Sequence, residues 1–139
     1  MLADTVRPRR TDAGVSSVEL VLMAPLLMLF ILLLIALGQI SQAQSTLDGT
    51  ARDAARAGAL QRDWNSAVAA ARQTANANIG GTCAGGITVT PSGTFEAGGM
   101  FTITLSCDVQ GLSSLGIGWT KQVSGRSTAP LDTYRRVAP

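Results

Sequence analysis

The charged side chain with the most pointed placement in this sequence is Glu19. In "DAGVSSVELVLMAPLLMLFILLLIALG", Asp12 to Gly38, it stands directly before an uncharged apolar run from Leu20 to Leu37. A lone carboxylate at bilayer depth costs several kcal/mol on most scales, so Glu19 needs a cation, or must snorkel to the interface, where it also complements the helix N-terminal dipole. The only two cysteines, Cys83 and Cys107, are 24 positions apart, too few and too widely spaced for a zinc site. In an exported domain they read as a disulfide, worth about 3 to 4 kcal/mol in the loop-entropy model; two buried free thiols are the alternative. Histidine is absent, which removes the usual general base, the usual partner of a nucleophilic Ser or Cys, and the commonest metal ligand. Asp108, Asp132 and Tyr134 fall in no nucleophile, metal or phosphate motif, and "GGITVTPSG" lacks the Gly-Lys-Ser/Thr of a phosphate loop. The expectation is therefore no enzyme, no cofactor and no metal. A net charge of +2, from 11 basic and 9 acidic residues spread along the chain, leaves no footprint for nucleic acid, which is not an expected partner.

These residues must be held by elements that the pattern outlines. Residues 1–14 are polar, with "RPRR" (Arg7 to Arg10) carrying the positive charge and Pro8 opposing a helix. Basic residues before the apolar run, with no similar cluster just after it, orient it N-terminus inside by the positive-inside bias. The run from Leu20 to Gly38 covers about 28 Å as a helix, close to the roughly 30 Å of hydrocarbon in a bilayer. Pro25 inside it predicts a loosened turn near Val21 to Pro25. Beyond it, Ile40, Ala43, Leu47, Ala51, Ala54, Ala55 and Gly58 recur at helical spacing as a narrow, small-residue stripe. Asp48 and Arg52 could pair on the opposite side, and Gly49 is the weak point. A helix from Ser17 to Ala59 would be roughly 64 Å long, more than an anchor needs. Asp63 is placed to cap a second helix from Trp64 to about Ile79, with Trp64, Ala67, Val68, Ala71, Ala75 and Ile79 on one face and Gly80-Gly81 ending it. Then "ITVT" (Ile87 to Thr90) reads as a strand and "PSG" (Pro91 to Gly93) as a turn. "MFTITLSCDV" (Met100 to Val109) is the clearest half-buried strand, "GLSSLGIGW" (Gly111 to Trp119) a loop with apolar anchors, and "KQVSGRSTAP" (Lys121 to Pro130) a weaker edge strand. Trp64 and Trp119 read as fillers of a small core. The fold class is α+β, with a small antiparallel sheet packed on the helices.

Read together, Gly14, Glu19, Pro25 and the leucine-rich run resemble the processing site of type IV pilin-like precursors. The resemblance is closest to the TadE-like branch of the Tad (Flp) pilus family: a short basic leader ending in Gly, Glu at the fifth mature position, and a proline soon afterwards. "GVSSVELVLMAPLLMLFILLLIALG" carries it, and the terminal "APLDTYRRV" is similar to the closing segment of such proteins. Leu20 departs from the aromatic residue frequent after the glutamate. The resemblance implies cleavage after Gly14 by a prepilin peptidase, an intramembrane aspartic enzyme, with Val15 as the new N-terminus. The small Gly14 gives access to the backbone, and Ser16-Ser17 let the strand open. The new ammonium lies four residues before Glu19, one helical turn, so the pair can meet on one face or across neighbouring subunits and fix their axial register. Pro25 would then mark a turn that loosens as the helix moves from bilayer to fibre.

The implied organisation is a cytoplasmic leader over 1–14, a transmembrane helix over 15–38, an extracellular continuation over 39–60, and a small extracellular α+β domain over 61–139. The implied protein is a minor pilin or pseudopilin of the cytoplasmic membrane, since the mature chain is much longer than the short major pilins of this branch. Its expected partners are the prepilin peptidase, other pilins through the N-terminal helix, the membrane platform of the Tad system and the lipid bilayer. Two other readings stand beside it. One is a secreted protein whose signal peptide is cut after "SQA" (Ser41 to Ala43), although the h-region is long for that role. The other is a single-pass anchor carrying an outer domain that binds a partner.

Overall fold

The computed structural model describes residues 17–112, 115–134 and 136. The leader, with Gly14 and Val15, lies outside the described residues, as do Ser113, Ser114 and part of the terminal "APLDTYRRV". The elements run in the order α1 (Ser17–Ala59), α2 (Trp64–Ile79), β1 (Ala84–Thr94), β2 (Met100–Gly111) and β3 (Trp119–Pro130). Two compact units divide the chain, one ending at Leu34 and the other running from Ile35 to Pro139. The fold is α+β, as its periodicities imply.

In the first unit α1 stays helical through Pro25. Proline has no N–H to offer the carbonyl of Val21 four residues back, so one helical hydrogen bond is missing there. The second unit holds the core. The α1 stripe is buried at Ala43, Leu47, Ala51, Ala54, Ala55 and Gly58, joined by Ala36 and Thr50, and Ile40 packs partly against it. Gly49 does not interrupt the helix. On α2 the buried residues are Ala67, Ala71, Ala75 and Ile79, and the Asp63 side chain caps the helix, accepting from the backbone N–H (2.9 Å) and hydroxyl (2.7 Å) of Ser66. Those hydrogen bonds to the ionised carboxylate hold its pKa below the ordinary aspartate value. With so many alanines on both helices, the largest fully buried side chains among the described residues are Phe101, Leu47, Ile103 and Leu105.

The sheet is antiparallel with β2 between β1 and β3. On β2 the alternation works as expected: Phe101, Ile103, Leu105, Cys107 and Val109 are buried toward the helices. Thr102, on the other face, is also buried and shares a 2.9 Å hydroxyl–hydroxyl bond with Thr128 on β3. Trp64, Phe95 and Phe101 meet edge to face, with centroids 5.5 to 6.1 Å apart, the arrangement aromatic quadrupoles favour.

Several expectations are corrected. Pro91 to Gly93 is not a turn: β1 runs on to Thr94, pairing Pro91 with Ile103 and Gly93 with Phe101, and the reversal comes at residues 95–99. β1 is an edge strand, so a proline whose nitrogen faces away from β2 removes no ladder bond. Gly93 has φ 114°, and a side chain there would strike the backbone carbonyl of Met100. β3 is an edge strand, as expected, but it is not weak: it pairs with β2 along its whole length from Trp119 to Pro130. In the loop before it, Leu115 (53% exposed) and Ile117 (56%) are not anchored. Trp119 lies outside the core cluster and spreads its indole across Gly111, where a Cβ would meet ring atoms at 2.5 to 2.7 Å. Asp48 does not pair with Arg52; its carboxylate accepts from Gln44 Nε2 at 3.4 Å and faces Gly125.

Candidate assembly site

The apolar half of α1 is the part of the molecule with an unmet need. Glu19 sits in its first turn and is exposed. Among the large apolar residues after it, Leu20, Val21, Leu22, Met23, Leu26, Leu27 and Met28 are 55 to 69% exposed. The most apolar 18-residue window has a mean hydropathy of 3.1, long and apolar enough for one membrane crossing. Apolar area of this extent is unfavourable in water by about 25 cal/mol per Å², so the segment requires lipid or other apolar helices around it. Pro25 is exposed within the same stretch, and Glu19 and Pro25 are six positions apart on it. Gly14 and Val15 fall outside the described residues.

Residues 14–56 match the family model of TadE-like proteins. Over this segment the chain is similar to TadE-like proteins. The match begins at Gly14, takes in Glu19 and Pro25, and ends within the Ala51–Gly58 part of the stripe, consistent with a TadE-like protein of the Tad pilus system. No curated protein and no solved structure matches the chain.

The TadE-like segment therefore includes the helix that the second unit is built on, and that attachment is specific. Gln44 Nε2 donates to the backbone carbonyl of Ser124 on β3 at 2.6 Å. One residue on, Gly125 brings β3 so close to α1 that a Cβ would lie 2.8 Å from the Leu47 carbonyl carbon. At the far end of the stripe Gly58 admits the Phe101 ring, and Asn78 of α2 donates to Asp53 of α1 at 3.2 Å. Sequence reasoning found Gly58 in the stripe but missed Gln44, Gly125 and Asn78. The glycine in the middle of β3 was the available signal, since glycine inside a strand marks a close backbone approach. Cys83 and Cys107 are bridged, with Cα atoms 5.6 Å apart. The bridge lies beside the register shift between Ala84 and Thr88 on β1, where the ladder alone holds the strand less firmly.

Proposed function

We propose that this chain is a membrane-inserted minor pilin or pseudopilin, trimmed after Gly14 by a prepilin peptidase, that primes or joins a Tad-type pilus or secretion filament. The observation that carries the reading is the coincidence of the TadE-like match with an exposed apolar helix headed by Glu19. In the precursor that helix lies in the cytoplasmic membrane with its N-terminus inside, and the second unit is exported. Cleavage leaves Val15 with a free ammonium one turn before Glu19. In an assembly of parallel helices the carboxylate then pairs with the ammonium of its own or a neighbouring chain, and a mismatch in axial position leaves a charge unpaired in an apolar setting. TadE-like pilus components are structural rather than catalytic, which fits a chain whose chemistry is one peptide cleavage done to it.

Cleavage by signal peptidase after Ala43 fits less well. Ala43 is buried in the core and Gln44 clamps β3, so the cut would break α1 within its packed region. Sequencing the mature N-terminus decides: Val15 supports the proposal and Gln44 overturns it. Glu19→Gln should leave trimming intact while sharply reducing incorporation into filaments; normal incorporation would refute the register role.

A further inference from the structure

The β2–β3 connection carries apolar side chains that the fold does not use, and its position along α1 says what covers them. β2 runs down α1 toward the apolar run: Phe101 packs at Gly58, Ser124 beside the middle of the sheet accepts from Gln44, and the Leu112 N–H donates to Gln39 Oε1 at 3.3 Å. From Gly58 back to Gln39 the helix falls about 28 Å, while β2 from Phe101 to Leu112 spans about 36 Å, so the strand crosses the helix obliquely and descends its whole packed length. Gln39 follows directly on the last residues of the apolar run, Ile35 to Gly38, which belong to the same compact unit. Leu115 and Ile117, beyond the Gly111–Trp119 pair, therefore lie near the level of Gln39, where the apolar run ends, and both are exposed. Trp119 is half-buried at the same end. Lys121, the only lysine, stands two residues further from the tip, about 7 Å, and lines a groove with Leu37, Ile40 and Ser41.

We infer that the β2–β3 hairpin tip is a second membrane contact: Leu115 and Ile117 enter the outer interfacial layer of the bilayer, with Trp119 at headgroup depth and Lys121 on anionic headgroups above it. Apolar tip, then indole, then lysine is the order in which these groups partition across a membrane interface. The contact orients the second unit against the bilayer while the chain waits in the membrane, and is released when the helix is withdrawn into a filament. It rests on the membrane-spanning reading of α1.

The test uses the full chain in vesicles of phosphatidylcholine and phosphatidylglycerol. Single thiols at Ile117→Cys, Leu27→Cys and Glu96→Cys carry an environment-sensitive dye, the native cysteines being bridged. Lipids with nitroxides at shallow or deep acyl positions serve as quenchers. The expected result is strong deep quenching at position 27, shallow quenching at 117 several-fold above that at 96, and a blue-shifted emission at 117. Leu115→Ser with Ile117→Ser should abolish the vesicle-induced blue shift of Trp119, read in a Trp64→Phe background, without lowering the melting temperature. If 117 behaves like 96 while 27 is quenched, the hairpin contact is wrong and the span stands. If 27 itself is not quenched, the span fails and the contact fails with it.

Discussion

Replacing Gly58 by alanine tests the packing of α1 on the sheet at its tightest point. A Cβ built there lies 2.8 Å from Phe101 Cδ1 and 2.9 Å from Cζ, where carbon atoms ordinarily rest about 3.5 to 4 Å apart. The ring has nowhere to go: Phe101 is fully buried, with Trp64 at 5.5 Å and Phe95 at 5.8 Å between centroids. Overpacking of this kind costs about 1 to 3 kcal/mol. Alanine gains up to about 1 kcal/mol in helix propensity, less at the next-to-last residue of α1. The net loss is about 1 to 2 kcal/mol, a fall in Tm of roughly 5 to 15 °C for a domain near 100 residues. Gly49→Ala on the same helix is the control. It meets nothing within 4 Å, so only the propensity gain of about 0.5 to 1 kcal/mol remains and Tm should rise. Thermal unfolding of the full chain in detergent, followed by near-UV circular dichroism and Trp64 emission, reads both. Adding Phe101→Leu to Gly58→Ala should cost much less than Phe101→Leu alone plus Gly58→Ala alone. If Gly58→Ala raises Tm as Gly49→Ala does, the close approach of Phe101 to α1 is wrong.

Three further outcomes follow from the geometry. Replacing Cys83 and Cys107 together by serine should lower stability by about 2 to 4 kcal/mol, and the same loss should appear on adding reductant to the unaltered chain, measured by urea unfolding. Asp63 is held ionised by its bonds to Ser66, with a folded pKa below its unfolded value. Its contribution is therefore complete above the ordinary aspartate pKa of about 4 and lost as pH falls through the lower folded value. Stability of Asp63→Asn should accordingly vary less than that of the unaltered chain between about pH 5 and 2. Gln44→Leu leaves the Ser124 carbonyl without its 2.6 Å donor; a loss of about 1 to 2 kcal/mol and faster amide exchange in β3 than in β1 are expected.

The local order of this chain was written into its sequence. Ala43, Leu47, Ala51, Ala54 and Ala55 fall on one helical face, Phe101 to Val109 alternate, and Asp63 precedes a helix, because each feature depends only on the period of its own backbone and on neighbours one turn away. The spacing from Gly14 to Glu19 and Pro25 was read from a family resemblance rather than from a backbone period, and the TadE-like match spans all three residues. What depended on distant chain was not legible. Pro91 reads as a turn residue until the sheet order leaves β1 at an edge, where its missing N–H costs nothing. Gln44 and Asp48 look like surface residues of a helix until Gly125 lets β3 come within reach, turning one to a strand carbonyl and taking the other away from Arg52. Leu115 and Ile117 promise core anchors, yet the hairpin leaves them in the open at the level of Gln39. A helical or strand period is set by φ and ψ of successive residues, but which face meets which neighbour is set by contacts between residues such as 44 and 124, and those exist only once the chain has closed on itself.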